Sequence, residues 1–360
     1  MKADILVKTP RRLEDIAASR IEEICGLRAL PKPYGFLGVV LVRCEGIDKD
    51  EAVRRILNEV PEVEKVLPIH GMAKADPNEI AKVSADIARH FISKDASFAV
   101  RTVRRGSHSF TSIDVNVRVG SEVQRVTGAD VDLTTPDKVI WVEIMHDVAY
   151  ISFTDGGLEW KKMWPGKSYV LPLLRKISIV QMPYLGPLNA VRTMGIRIGR
   201  AVQTFEVKEL IIAPKERIPA FELKEFLKGI FEGINSRYDI QKRSYGRAVH
   251  KVPVFVQDLY QFVREKAHEN IIVTSTRGVP LSQASDVLVE MFKDDHVFVL
   301  IGAREGIPTG IFRFAKLVLD VAPGITLPTD HAASSILIAL ISALEQAKAL
   351  PVMPKRRKRD

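Results

Sequence analysis

Apolar and polar positions follow two kinds of rhythm along this chain, and the change of rhythm divides it. Over the first 72 residues, short apolar runs trade places with amphipathic stretches. Residues 4–8 read as a strand, 13–24 as a helix with Leu13, Ile16, Ala17, Ile21 and Ile24 on one face, and 35–42 as a second strand. A second helix follows over 51–60, carrying Ala52, Ile56 and Val60, and a third strand over 63–69. Next come a helix at 77–92 and a strand at 97–105 that ends in bases. Residues 113–119 fit two periods. Strict alternation says strand, but Thr111 and Asp114 form a capping box, and Val115, Val119, Val123 and Val126 keep helical spacing. The helix is the reading taken.

Residues 155–176 break every period, with Gly156-Gly157, Trp164-Pro165-Gly166 and Pro172, and read as a linker. From residue 177 the pattern becomes strand-helix-strand, as in a parallel α/β sheet. Strands are predicted at 177–180, 207–213 and 270–275, and helices at 189–204, 221–234 and 254–266. A further strand is predicted at 238–246, and the stretch 282–292 leads into the last part. There, an apolar strand at 297–301 runs into Gly302, Gly306 and Gly310, and a second apolar run at 317–321 carries Asp320. A turn-rich loop, 322–328, then precedes a helix whose start at Thr329 is all small or capping residues. Such a series makes a backbone-lined pocket suited to a flat heterocycle, because glycine lets the main chain approach a ligand closely.

Charge and cysteine content narrow the class. The formal net charge is +9, and residues 355–360 account for four of those charges, so the remaining excess is distributed along the chain. That suits a polyanionic partner, although a merely basic soluble protein would look the same. Two cysteines, Cys25 and Cys44, are too few for a disulfide framework or a zinc site, and read as core residues or a single bridge. No signal peptide is visible, and the longest apolar stretch, 336–344, falls far short of the roughly 20 residues a membrane helix needs. A cytoplasmic protein with no membrane association is expected. HExxH, paired CxxC and GxSxG motifs are absent, and so is GxGxxG in a first βαβ unit, which argues against a dinucleotide fold.

The order strand, glycine loop, strand, proline loop and small-residue helix over 297–347 resembles the C-terminal half of the SPOUT class of RNA methyltransferases. The resemblance implies an α/β domain with a deep trefoil knot that binds S-adenosyl-L-methionine. It places the cofactor on Thr274, Ser275 and Thr276, on Ile301, Gly302, Ala303 and Gly306, and on Asp320, Val321, Ala322, Pro323, Ile325 and Leu327, with Ala332 at the helix start. The family's helix-start motif often carries an asparagine, and Ser334-Ser335 stand in its neighbourhood here. For catalysis it points to Arg304 in the glycine loop and to Arg200 in IGRAVQTFEVKELII, a segment similar to the first motif of some members. The family's asparagine is not at its usual spacing before Arg200. Glu305 could accept a proton, or pair with Arg304. SPOUT domains usually pair, and the apolar 336–344 helix with 189–204 could bury such a homodimer face, or could equally be a core helix.

The run FAVRTVRRG, SFTS, VDLTTPDKVIWVEI and AYISF over 98–153 resembles the THUMP domain, an RNA-binding module. That family usually places a ferredoxin-like domain before THUMP and grips structured RNA, commonly tRNA rather than rRNA. The residues themselves give Arg101, Arg104, Arg105, His108 and Arg118 as a local basic face able to contact phosphates. Trp160 and Trp164 would stack on a base or dock one domain on another.

The expected fold is therefore multidomain, α+β followed by α/β. It comprises a ferredoxin-like domain (1–75), THUMP (76–155), a linker (156–175), a knotted SPOUT-like domain (176–350) and a basic disordered tail (351–360). The expected function is S-adenosylmethionine-dependent methylation of RNA. The rival is an RNA-binding protein whose C-terminal domain is only a scaffold. A sulfur-transferring or deaminating enzyme would want a phosphate loop or zinc ligands that the chain lacks.

Overall fold

In the computed structural model, residues 2–353 are described, and they form two compact units that meet in sequence at Trp164 and Pro165. This boundary lies inside the stretch that the sequence reads as a linker. Residues 354–360, most of the basic tail, lie outside the described residues.

The first unit contains two sheets. Its N-terminal part runs β1 (Ile5–Lys8), α1 (Glu14–Cys25), β2 (Arg28–Pro31), β3 (Val39–Arg43), α2 (Lys49–Glu59) and β4 (Lys65–Pro68). The strands lie in the order β2-β3-β1-β4, all antiparallel. Alternation sorts the side chains: Ile5, Val7, Val40 and Val42 meet the buried faces of α1 and α2, while Leu6, Val39, Leu41 and Leu67 turn the other way. The predicted strand at 35–42 is shorter than expected. Gly35 and Gly38 sit at φ +79° and +78°, so the chain turns before β3 can begin. The edge strand β2, unpredicted, alternates between exposed and half-buried, too little burial for a periodicity signal.

The second sheet is built from β5 (Gly71–Lys74), α3 (Pro77–Phe91), β6 (Ser97–Arg105), α4 (Ser112–Thr127), β7 (Asp130–Val131), β8 (Lys138–Met145) and β9 (Val148–Asp155), in the order β5-β9-β8-β6-β7. Helices α3 and α4 cover one face. The other face meets the N-terminal sheet through Val139, Trp141, Met145 and Tyr150, so β8 and β9 are buried on both sides. The ambiguous stretch at 113–119 is helical. Thr111 Oγ1 accepts from the Asp114 amide at 3.2 Å, and Asp114 accepts from the Thr111 amide at 2.7 Å. Val115, Val119 and Val123 face the core while Ile113 and Val117 stand in solvent.

The second unit opens with α5 (Leu171–Leu174), whose Leu173 and Leu174 are core residues, so the expected linker ends inside a packed domain. Next come β10 (Ile177–Gln181), α6 (Leu188–Phe205), β11 (Glu209–Ile212), α7 (Ala220–Ser244), β12 (Val254–Val256) and α8 (Leu259–Glu265). The chain closes with β13 (Asn270–Pro280), α9 (Ser285–Met291), β14 (Val297–Ile301), β15 (Leu317–Asp320) and α10 (Thr329–Gln346). All six strands are parallel, ordered β12-β11-β10-β14-β13-β15, with apolar layers on both faces.

Two expectations fail here. The strand predicted at 238–246 is the last part of α7, which continues to Ser244 with Gln241 buried against Gln203 and Thr204 of α6. The helix predicted at 254–266 is split. Its start is the edge strand β12, and Asp258 then caps α8 by accepting from the Gln261 amide at 2.9 Å.

Helices α6 and α7 cross at glycines on both sides. A Cβ added at Gly199 would lie 2.3 Å from the Ile230 carbonyl oxygen, and one at Gly233 would lie 2.2 Å from that of Ile196. Gly195 and Gly229 repeat the arrangement one turn away, so the two backbones touch along the crossing.

Candidate active site

In an open parallel sheet, every strand delivers its following loop to the same carboxyl edge, where ligands bind. The loops after β13, β14 and β15 enclose a cavity of about 570 Å³ there. The loop after β14 folds back on itself. A Cβ at Gly302 would come within 2.5 Å of the Gly306 Cα, so only glycine fits, and Gly306 itself sits at φ +81°. Inside the loop Arg304 holds φ +53°, a conformation that few side chains adopt and that packing must sustain. Its guanidinium lies 4.7 Å from the ring centroid of Tyr184, in the loop after β10, with Nη2 3.3 Å from the phenol oxygen. A Cβ at Gly186 would lie 2.6 Å from that Nη2, so the small residue leaves Arg304 its place.

The other walls are also set by backbone. Strand β13 slips register between Thr274 and Val279, and the residues between form a loop at the cavity. Thr274 Oγ1 donates to the Leu300 carbonyl at 3.0 Å, tying that loop to β14. A Cβ at Gly278 would lie 2.6 Å from the Leu319 carbonyl carbon, so β13 can rejoin β15 only through glycine. Asp320, nearly buried, accepts from the Ala322 amide at 3.1 Å and turns the chain into the 321–328 loop. At the start of α10, Asp330 accepts from Arg197 of α6 at 2.9 Å.

Every residue that the sequence places at the cofactor lines this cavity except Pro323. Arg304 and Glu305 line it too. Arg200 does not: it is exposed on α6, with Nη1 donating to Ser236 Oγ at 2.9 Å. Glu305 pairs with Lys215 at 2.6 Å, rather than with Arg304 as the sequence allowed, and that ammonium holds its carboxyl below the usual range. Ser334 and Ser335 are absent from the lining. Sequence reasoning missed Tyr184, Met194, Thr309 and Phe312, which reach the cavity from neighbouring elements. An aromatic residue just past the end of a parallel strand was the available signal for Tyr184.

The cavity has room for a cofactor: it is lined by loop backbone with both apolar and polar residues, and the Gly302–Gly306 fold leaves space that a side chain would fill. The apolar face of α10 offered to a second copy is instead the core of its own unit. Ile336, Leu337, Leu340 and Leu344 are fully buried, and Ile338 is left exposed.

The basic face in the first unit is more dispersed than expected. Arg101 is paired with Glu159 at 2.7 Å, and Arg105 with the buried Glu143 at 2.6 Å, a carboxylate that Lys8 also contacts. His108 Nε2 lies 2.8 Å from the His146 carbonyl oxygen, and Arg118 donates to Asn78 at 2.8 Å. Arg104 lies over the Phe110 ring at 5.6 Å. With Arg105 it lines a groove of about 440 Å³, and Lys8 of β1 and Arg11 in the turn after it join them.

The chain thus joins a first unit with a groove lined by basic side chains to a parallel α/β unit with a large cavity on its carboxyl edge. Residues 171–360 match the model of AF2226-like SPOUT RNA methylases fused to THUMP, and residues 74–154 match the THUMP domain. The chain belongs to that family of THUMP-fused SPOUT RNA methylases. An uncharacterized protein of Methanocaldococcus jannaschii is 42% identical over 339 residues, 93% of this chain and 92% of the relative. A probable tRNA sulfurtransferase of the same organism is 32% identical over 121 residues, 32% of this chain and 31% of that one. A crystal structure from Pyrococcus horikoshii aligns over 96% of this chain and all of its own, at 15% identity and a TM-score of 0.36, a likeness too slight to carry any argument. Among the described residues no helix is long and apolar enough to cross a membrane.

Proposed function

We propose that this protein is an S-adenosylmethionine-dependent RNA methyltransferase of the cytoplasm, acting on tRNA in preference to rRNA. The first unit holds the RNA and the second transfers the methyl group. The observation that carries the reading is the convergence of three separate loops, 274–276, 301–306 and 320–327, on one cavity. S-adenosylmethionine supplies a methyl group already activated on a sulfonium sulfur, so the protein's work is alignment of the acceptor and stabilisation of charge on it. Backbone groups of the three loops would hold the cofactor. Arg304, propped against Tyr184, would orient the acceptor and offset developing negative charge. Glu305 stays ionised through Lys215 and would act as a modest proton acceptor. Arg200 keeps only a supporting role in this reading, on the α6 surface.

For the RNA, the preference for tRNA is supported by the THUMP match and by the partial relative named for tRNA sulfur transfer. The strand order β2-β3-β1-β4 with two helices on one face supports a ferredoxin-like reading of the N-terminal sheet. The trefoil knot and a homodimer through the second unit belong to the same proposal and rest on family membership. Leu188 and Ile338 are the exposed apolar positions that α6 and α10 would bring to the dimer.

Titration of S-adenosylmethionine into the full chain by calorimetry tests the reading, with Gly302→Ala alongside. Saturable binding is expected in the parent. In the variant it should weaken at least tenfold, roughly 1.4 kcal/mol, because the added Cβ forces the loop open. Absence of binding to the parent at millimolar ligand would sink the reading and leave an RNA-binding scaffold.

A further inference from the structure

Helix α7 follows β11 and carries the chain from the carboxyl edge of the second sheet back to its amino edge, where β12 begins beside Leu210. With 25 residues it is about 37 Å long, so its end stands far from the cofactor cavity. Residues 237–251, the end of that helix and the loop beyond it, hold five basic side chains, Arg237, Lys242, Arg243, Arg247 and Lys251, against one acidic, Asp239. A buried carboxylate builds the loop. Glu206, at the end of α6, accepts from the His250 amide at 2.9 Å and pairs with Arg175 at 2.9 Å and with Arg247. Burial alone would raise its pKa, but Arg247, the His250 amide and Arg175 outweigh that and hold its carboxyl below the usual range. One carboxylate shared by two guanidiniums leaves that cluster positive.

We propose that this patch is a second RNA-binding surface, one that grips the phosphate backbone on the edge of the sheet opposite the cofactor cavity. It rests on the RNA-binding half of the function proposed above, and not on the group transferred. Three observations lead to it. First, its cations are unengaged. Lys242, Arg243 and Lys251 are exposed, and among the described residues no carboxylate pairs with them. Arg243 donates instead to the Asp239 carbonyl oxygen at 3.1 Å. Arg101 and Arg105 of the first unit are already neutralised by Glu159 and Glu143, whereas cations without a carboxylate can replace the counterions of a phosphate chain. Second, the cations are held in place. Lys251 Nζ lies 5.5 Å from the ring centroid of Tyr238, and the Arg247 guanidinium 5.1 Å from that of Tyr245. A side chain resting on a ring has less freedom to lose when it grips a phosphate. The helix dipole accounts for Lys242 and Arg243 in the last turn of α7, but not for Arg247 and Lys251 beyond it. Third, the patch lacks what an anionic membrane surface would require. Between 237 and 251 the large exposed apolar side chain is Ile240 alone, too little to anchor in lipid.

The test measures the affinity of the full chain for a pool of unmodified tRNA transcripts over a salt series, with no cofactor present. Lys242→Gln, Arg243→Gln and Lys251→Gln combined should weaken binding about tenfold and lower the salt slope by about 2, while calorimetric unfolding matches the parent. Affinity and slope equal to the parent's overturn the inference and leave the proposed function standing. Acetylation of lysines in the parent gives a readout that needs no variant. Bound RNA should protect Lys242 and Lys251 but not Lys228, which pairs with Glu225 nearer the start of the same helix. Equal labelling of Lys242 and Lys251 with and without RNA overturns the surface. So does binding to anionic phospholipid vesicles that the variant loses while its RNA affinity stays intact, which would assign the patch to a membrane. A parent that binds no RNA removes this inference and the proposed function together.

Discussion

The predicted sites of the two units are built by different physical means. In the second, the predicted site is made of backbone: glycines at 302, 306 and 278 let loops fold back or strands close up, and the cavity follows from the path of the chain. In the first, the predicted site is made of side-chain charge, and much of that charge is already engaged. Arg101 and Arg105 are tied to Glu159 and Glu143. Glycine patterns therefore locate a cavity well, because a backbone path has few alternatives. A basic residue in a strand says little until its neighbours across the sheet are known.

The largest expected effect tests whether the second unit depends on backbone contact throughout. Gly199→Leu would drive a side chain into the Ile230 carbonyl across the α6–α7 crossing. Calorimetric unfolding should show the second unit's transition destabilised by about 3 kcal/mol and the first unit's unchanged. Equal loss in both transitions would break the comparison.

A somewhat smaller effect should come from His70 in the first unit. Its ring packs 4.5 Å from Phe91 and its Nδ1 accepts from the Phe153 amide at 3.1 Å. Burial, helped by the nearby Lys49 charge, pushes its pKa from 6.5 to about 4. The folded state then keeps the ring neutral while the unfolded chain takes up a proton below about pH 6.5. Stability from this group is complete above that pH and is lost as pH falls toward 4, by about 2 kcal/mol at pH 5. The parent should lose that much more than His70→Gln on acidification. Parallel curves would refute the buried neutral histidine.

RNA binding should sort the arginines by how they are held. Arg104→Ala, which removes a cation from the groove, should lower the salt slope of affinity by about 1. Arg101→Ala should change it less, since Glu159 already balances that charge. Equal slopes would restore the uniform basic face that the sequence suggested. The smallest effect is expected at Trp160, which is 93% exposed. Trp160→Ser should leave stability within about 0.5 kcal/mol, and a larger loss would show that this ring docks.

Much of the fold was legible where burial and period agree. The capping box at Thr111 and Asp114 outweighed an alternating run because three valines at helical spacing had a core to enter. The errors fell where local pattern is weak. Residues 238–244 carry aromatic and basic side chains that read as strand, yet they continue a helix already docked by Gly229 and Gly233. Residues 254–256 became an edge strand because β11 offered them a partner.

The sequence by itself determined most of the order of elements and the glycine loops that line the large cavity, since periodicity, caps and glycines act through the local chain. The tertiary structure alone decided the partners. It set Tyr184 against Arg304, Lys215 against Glu305 and Glu143 between Lys8 and Arg105. These contacts join residues tens of positions or more apart, and no local pattern encodes which distant charge a folded chain will meet.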